Sequence, residues 1–479
     1  MRTERSIARV LIALALSASS ACTPFSIRDD LDRVQRRTRA QLAPRLDEAT
    51  SGPVQDDETR ERVRRTLSAP MTAEDAVRVA IANNRSLRAT LRELGVYRGR
   101  LVQAGLVANP SVSFDIRHPD DPVQPVQLDL SLEWDVTHSL LAPARAGVAQ
   151  AELEAARHRA ATSVIELGFR VRSAVLSLQA AQSRLALATR ALDTFAAGRD
   201  AARALTESGN TLALDQATHE AAYESARVTV AQIELDVLER REALQRLLGL
   251  HGEETQWTLR EPLAPVPERF EVAPDLERSA VTASLSLQSQ RSQLEALARR
   301  TGLTRAEGLI PDVSVDVHVE QDGQFWEVGG GASVRLPVFD RRQGDLLSRE
   351  SAFDAAMERY IGAAIDLRSH ARSARNRALS AHLRARQYAT VIVPARRRVM
   401  EQWMLQYNAM QVGVFALLQA RRDELEAQLR AVDTAREFWI AKAALDAMLA
   451  GHAPDAGAER GDSMSEPLNS AASAPHGGH

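Results

Sequence analysis

The chain has 479 residues, enough for two or three ordinary domains, yet only 4% of them are aromatic. Sixty Lys+Arg against 63 Asp+Glu leave a formal net charge of -3, which excludes the global basic field that nucleic-acid binding uses. A single cysteine, Cys22, excludes a disulfide framework and any multi-cysteine metal site.

At the N-terminus Arg2, Arg5 and Arg9 precede an apolar run from Val10 to Ala18, and Ser19, Ser20 and Ala21 lead to Cys22. Residues 1–21 therefore have the form of a secretory signal peptide. Two processing routes fit. Cys22 stands where the lipobox of bacterial lipoproteins has its acylated, palmitate-bearing cysteine, although Ser19 replaces the usual Leu, and cleavage by ordinary signal peptidase after Ala21 is the other route. No later run of roughly 20 apolar residues can span a bilayer as a helix, so any crossing must be made by strands. Residues 22–70 form a charged N-terminal arm in which Arg28 to Leu42 suits one amphipathic helix.

From Met71 the order is a helix to about Leu106, a strand pair, and a helical region from Ala144 to Leu250 that contains no proline. Pro262, Pro265, Pro267 and Pro274 mark residues 251–274 as a linker. The order then repeats: a helix from Leu276 to about Leu309, a second strand pair, and helices from Asp345 to about Leu449. Residues 71–250 and 275–451 thus read as an internal duplication, with 452–479 as a tail.

The strand pairs alternate strictly. Val112, Phe114 and Ile116 interleave with Ser113, Asp115 and Arg117, and Val126, Leu128, Leu130, Leu132 and Trp134 interleave with Gln127, Asp129, Ser131 and Glu133. Val313, Val315, Val317 and Val319 interleave with Ser314, Asp316, His318 and Glu320, and Trp326, Val328, Ala332, Val334 and Leu336 interleave with Glu327, Ser333 and Arg335. Each strand has one apolar and one ionised face, as a wall between lipid and water requires. A half-buried soluble sheet gives the same alternation.

Between Val164 and Phe195, apolar residues recur at steps of three and four (Leu167, Val171, Leu178 and Leu185 among them), a sustained coiled-coil seam. A helix of roughly 60 residues is about 90 Å long, beyond any compact domain. Turn-forming Glu207 to Asn210 reverses it, and Val230, Ile233, Val237, Leu244 and Leu247 line the return. The second reversal is expected near Gly413, with Leu425, Leu429, Val432 and Trp439 returning. Pro394 interrupts the second descending helix about 20 residues earlier, as a pivot or as a static kink.

In this order the chain resembles the TolC-type outer-membrane efflux channels, over roughly Met71 to Gly451. The landmarks are Ala108-Asn109-Pro110-Ser111 before the first strand, Arg335 to Asp340 (RLPVFD) after the fourth, Gly209 to Ala217 (GNTLALDQA) at the first reversal, and Leu244 to Leu250 (LQRLLGL) closing the first repeat. The resemblance implies a mainly α fold with a small β part: a homotrimer, each chain giving four strands to a twelve-stranded barrel and its helices to a periplasmic coiled-coil tunnel. It implies a passive exit duct, working with a periplasmic adaptor and an inner-membrane pump and using no cofactor. Asp115, Arg117, Asp129, Glu133, Asp316, His318, Glu320 and Arg335 would line water, while Val112, Phe114, Leu128, Leu130, Val315 and Val317 would face lipid. The periplasmic tips would carry Gly209, Leu212, Asp215, Gly413, Phe415 and Gln419, without the aspartates many family members place on the second hairpin.

Tyr407 to Phe415 (YNAMQVGVF) resembles a branch associated with heavy-metal, particularly copper, resistance, and the tail carries His476 and His479. Gly329-Gly330-Gly331 lies inside a strand and is no phosphate loop; its small residues relieve crowding in the wall. His219-Glu220 reads as a solvated helix-face pair, and no arrangement of residues suggests catalysis. The rival from another class is a periplasmic coiled-coil adaptor or scaffold lipoprotein, which predicts one hairpin flanked by soluble β domains.

Overall fold

The computed structural model describes residues 27–38, 53–118, 120, 126–322 and 325–454. Cys22, the signal peptide, the histidine-bearing tail and most of both strand-connecting loops lie outside them. The arm contributes α1 (Arg28–Thr38) and α2 (Pro53–Leu67). Repeat one contains α3 (Ala73–Asn83), α4 (Arg85–Gly105), β1 (Ser111–Arg117), β2 (Gln127–Asp135), a single turn α5 (Val136–Leu140), α6 (Ala142–Glu207) and α7 (Ala213–Leu248). Repeat two contains α8 (Leu276–Ala283), α9 (Leu285–Leu309), β3 (Asp312–Asp322), β4 (Phe325–Arg335), α10 (Gln343–Gln387), α11 (Val393–Asn408) and α12 (Val414–Ala450).

Each helix expected to lead a repeat is broken in two, at equivalent polar residues. Asn84 ends α3 and caps α4, its side chain accepting from Leu87 N, and Ser284 does the same between α8 and α9 by accepting from Leu287 N. A cap that satisfies orphan N–H groups makes the bend cheap without proline. Each break then receives the glycine that ends its own repeat. Gly249 adopts a left-handed φ of 71° beside the Asn83 carbonyl, and Gly451 a φ of 109° beside the Ala283 carbonyl. Asn83 and Asn84 donate to the last carbonyls of α7, at 2.8 Å to Gly249 O and 2.9 Å to Leu247 O, while Leu285 N donates to Gly451 O at 3.0 Å. A Cβ at either glycine would meet that backbone, so the break and the cap form one joint, made twice.

The seam residues Val164, Leu167, Val171, Leu178, Ala181 and Ala188 of α6 are buried. With 66 residues, α6 is about 100 Å long. It packs on α7 and α12, and α12 packs on α10, so the long helices form a single array ordered α7, α6, α12, α10. The linker crosses one face of that array as a belt: Gln179 Nε2 donates to Glu261 O at 2.8 Å, Trp439 Nε1 to Ala264 O at 2.9 Å and His382 Nε2 to Pro267 O at 2.9 Å.

The arm is more structured than its composition suggests. Leu31 and Val34 of α1 enter the main core, and fully buried Asp30 takes both Arg98 nitrogens at 2.9 Å and the guanidinium of buried Arg157. Glu154 joins Arg33 and Arg157, and Arg37 contacts the His158 ring at 3.0 Å. Burial, reinforced by Arg37 and Arg157, pushes His158 down to about 4, so it stays a neutral partner.

The second descending helix is not straight. Five π-helical residues, Tyr388–Ile392, separate α10 from α11, and Val393 N bonds back to Tyr388 O. Pro394 sits in the first turn of α11, where its missing N–H costs nothing because the wider π turn has already displaced the hydrogen-bond ladder.

Candidate functional site

The four strands form one antiparallel sheet in sequence order, β1-β2-β3-β4, leaving β1 and β4 with unpaired edges in the protomer. Register keeps the two faces separate across every pair. Phe114 opposes Leu130, which opposes Val319, which opposes Val328; Val112, Leu132, Val317 and Gly330 form the next apolar row. None of these strand residues enters a buried hydrophobic cluster. Val112 is 67% exposed, Phe114 60% and Val328 74%. A half-buried soluble sheet packs its apolar face on a core; among the described residues, this one packs on no buried cluster. No helix among the described residues is long and apolar enough to cross a membrane.

The other face carries the ionised residues. Asp115 opposes Asp129, Asp129 opposes Glu320, and Glu320 opposes Glu327, so one row places a carboxylate on every strand. Like charges directly opposite each other destabilise a sheet, so this row works against the fold that holds it. Asp129 Oδ1 is enclosed and has no hydrogen-bond partner. Beside the row toward the helices come Ser113, Ser131 and His318, with the two serine hydroxyls 2.6 Å apart, and then Glu133 and Asp316. Arg117 lies on the loop side of the row, and Arg335 pairs with Asp312 at 3.7 Å at the sheet's helical end. The sequence singled out eight of these residues as water-lining; Glu327, read from the alternation as lying on the same polar face, was not among the eight, and register places it opposite Glu320.

The glycines of β4 have a definite purpose. Cβ atoms at Gly329 and Gly331 would collide with the side chains of His318 and Asp316, which lie across them. His318 Nδ1 and Asp316 Oδ2 are 3.3 Å apart in that space. Gly330 faces the apolar side, opposite Val317.

At the helical tips, the first reversal uses Gly209 with φ 73°, as its turn sequence suggests. The second does not use Gly413, which has φ -81° and starts α12; the left-handed residue is Met410, with φ 57°. Asp215, in the first turn of α7, takes the Thr211 hydroxyl at 2.6 Å, and Leu212 beside it is exposed. Gln419 donates to Asp423 at 2.8 Å. Phe415 meets a residue the sequence left in solvent: His219 stacks on its ring with centroids 4.2 Å apart and planes at 19°. His219 is thus part of the joint between the two hairpins, with Arg422 over the Phe195 ring at 4.8 Å and Leu418 against Gly198. Burial and the Arg422 guanidinium lower the His219 pKa, against the opposing pull of Asp215. Among the described residues, no group of three or more acidic, histidine or cysteine side chains is arranged to hold a metal.

A duplicated sheet with an uncovered apolar face, continued by two helical hairpins of about 50–100 Å, defines the protomer fold of the TolC-type outer-membrane channels. No protein-family model matches the chain. The cobalt-zinc-cadmium resistance protein CzcC of Cupriavidus metallidurans is 24% identical over 396 residues, covering 80% of this chain and 91% of that protein. A membrane protein from Pseudomonas aeruginosa superposes with a TM-score of 0.67 at 20% identity, covering 79% of this chain and 93% of that one. For the outer membrane protein VceC of Vibrio cholerae the TM-score is 0.66 at 16% identity, with 80% and 97% covered.

Proposed function

We propose that three copies of this chain close a twelve-stranded barrel in the outer membrane, and that their hairpins continue it through the periplasm as a passive exit duct of a tripartite efflux system. The observation that carries this reading is the apolar sheet face left exposed beside a well-packed helical body. The unpaired edges of β1 and β4 add to it, since a sheet in hydrocarbon must close on itself. Val228, Leu235 and Leu238 form an exposed stripe on α7, and Ile361, Ile365 and Leu383 another on α10. These are the outermost helices of the array, where neighbouring copies meet. On this reading the face bearing Asp115, Arg117, Asp129, Glu133, Asp316, His318, Glu320 and Arg335 lines the pore, and the tips around Leu212, Asp215, Phe415 and Gln419 meet the adaptor that links the duct to its pump.

The cargo we assign is heavy-metal cations. The relative CzcC bears a cobalt-zinc-cadmium resistance name, which favours divalent ions of that group over the copper suggested by Tyr407 to Phe415, and the carboxylate row presents hard and borderline oxygen ligands to them. A soluble scaffold has no use for the uncovered apolar sheet. Acylation at Cys22 would anchor the arm in the same membrane.

The test is single-channel conductance in planar bilayers together with the particle mass in detergent. Defined ion-conducting steps from a trimer are expected; a species that never conducts, even when the tips are loosened by His219→Ala with Phe415→Ala, would falsify the duct.

A further inference from the structure

The two open edges of the sheet differ in shape. β1 is seven residues long and carries the run Phe114-Asp115-Ile116-Arg117. β4 is eleven residues long and carries Gly329-Gly330-Gly331-Ala332, all small. Asp316 and His318 of β3 lie across Gly331 and Gly329, so two polar side chains reach over β4 toward its free edge.

The helical border of the sheet is stepped. Ser111, the first residue of β1, shares a row with Glu133, Asp316 and Gly331. β2 runs two residues past that row to Asp135, and β4 runs four past it to Arg335. Strand ends that lie at one depth in a membrane thus shift by four residues across the protomer, about 13 Å along the strands. Such a step is what tilted barrel strands produce.

Resting on the trimer proposed above, we propose that β1 of each copy pairs antiparallel with β4 of the next at an offset of four residues from the row: Ser111 opposite Arg335, Ser113 opposite Ser333 and Arg117 opposite Gly329. Three arguments fix the offset. Facing residues of an antiparallel pair share a face, so it is even. Three seams offset by four shear a twelve-strand barrel by about twelve residues, a tilt of about 35°, whereas an offset of two gives about 19°, outside the usual range of about 35–45°. An offset of six carries Ser111 to Pro337, which has no N–H, and Val112 to Leu336, whose carbonyl already takes Val338 N at 2.9 Å.

The chemistry of the edges agrees. On the lipid face Phe114 and Ile116 fall opposite Ala332 and Gly330, so large side chains cover small ones. On the water face Arg117 falls opposite Gly329, where its guanidinium reaches the Asp316 carboxylate lying across β4. Without an offset, Asp115 would oppose Glu327 and carry the like-charged row through every seam.

The experiment oxidises cysteine pairs in the purified full-length assembly and reads covalent dimers and trimers on denaturing gels without reductant. Residues directly opposite each other have Cα atoms about 4.5–5.5 Å apart, within disulfide reach, while β1 and β4 of one chain are three strand spacings apart, about 14 Å, beyond it. Every bond therefore joins two copies. Ser113→Cys/Ser333→Cys is expected to cross-link at least about fivefold faster than Asp115→Cys/Glu327→Cys, Ser111→Cys/Ser333→Cys or Ser113→Cys/Arg335→Cys, which read offsets of none, two and six. Variants with one introduced cysteine serve as blanks. Should the first pair fail to assemble, Val112→Cys/Val334→Cys reads the same offset from the lipid face. A faster bond at any other offset, or no bond in a particle with the mass of a trimer, overturns the register and leaves the duct standing. A selective bond at the offset of four in a trimer that never conducts removes the duct and leaves the seam.

Discussion

Replacing Asp129 by Asn removes one carboxylate in four from the row that crosses the sheet at Asp115, Asp129, Glu320 and Glu327. Strands about 4.8 Å apart and tilted about 40° give a twelve-strand barrel a perimeter of about 75 Å, hence a backbone diameter of about 24 Å. Side chains reaching about 5 Å inward from each wall leave a bore of radius about 7 Å. A monovalent cation on the axis gains about 0.6 kcal/mol from each carboxylate in water, and about half of that at 0.1 M salt, where the Debye length is about 10 Å. Twelve carboxylates then supply about 3.6 kcal/mol; losing three of them through Asp129→Asn costs about 0.9 kcal/mol, or about a fivefold drop in local cation concentration. At 1 M salt the Debye length of about 3 Å is shorter than the bore radius and the effect fades. The assay is the reversal potential across a tenfold salt gradient, whose ideal cation limit is about 59 mV. At low salt the unaltered channel is expected near that limit, Asp129→Asn within about 3 mV of it because about 2.7 kcal/mol still favours the cation, and the row with all four acids neutralised near zero. A fully neutralised row that leaves the reversal potential unchanged refutes the assignment of this face to the pore.

Four further outcomes follow from named contacts. Because the packed tip lowers the His219 pKa, it favours the neutral ring: its contribution is complete above the ordinary value of about 6.5 and is lost as pH falls through that value toward the lowered one. Open probability should therefore rise between pH 7.5 and 5.5, and His219→Phe, which keeps the stack and removes the proton, should flatten the profile; a variant with the original profile sinks the idea. Asp30→Ala takes the shared carboxylate from Arg98 and from buried Arg157, which keeps Glu154, and should cost about 3 kcal/mol, seen as a lowered Tm and tryptic cleavage at Arg33 and Arg37, whereas Asp30→Leu with Arg157→Met should recover most of it. Met410→Gly removes a left-handed non-glycine residue that is 93% exposed, so hydrogen exchange at the second tip should slow by about 1 kcal/mol equivalent with no packing lost. Pro394→Ala allows the ordinary ladder to reform across Tyr388–Ile392 and should reduce open probability; unchanged conductance and transport would make the kink static.

The strands were legible because period-two alternation survives in any register, and register then added only which acids share a row. The hairpins were legible because a seam sustained over many turns has no other explanation. What sequence concealed was of two kinds. Asn84 and Ser284 break helices by capping, yet either residue is tolerated inside a helix, so neither announces a boundary without its duplicate for comparison. His219 finds Phe415 far along the chain, and no local pattern reports a contact between two hairpins. Gly413 was the obvious turn residue, but the reversal is matched position by position in the two tips: Met410 occupies the place of Gly209, and Gly413 that of Leu212.

Duplication explains the frame and also isolates what differs between its halves. Both repeats keep the break-and-glycine joint, the strand pair and the hairpin, so these belong to the architecture. Only the second hairpin has an interrupted descending helix, and only its reversal forces a bulky residue into a left-handed conformation. The first descending helix runs 66 residues without a break. If the interruption is a pivot, bending concentrates in the second hairpin, below Tyr388–Ile392, because the first descending helix is continuous. The contacts that oppose that bend join the hairpins across α6, α7 and α12: Arg184 with Asp433 at 3.6 Å, Phe195 with Arg422, and His219 with Phe415 nearest the tip. Of these His219 alone can change its charge near neutral pH, and it lies farthest from the joint and nearest the opening. On the pivot reading, the small free energy of one protonation acts at the end of the longest lever the fold provides.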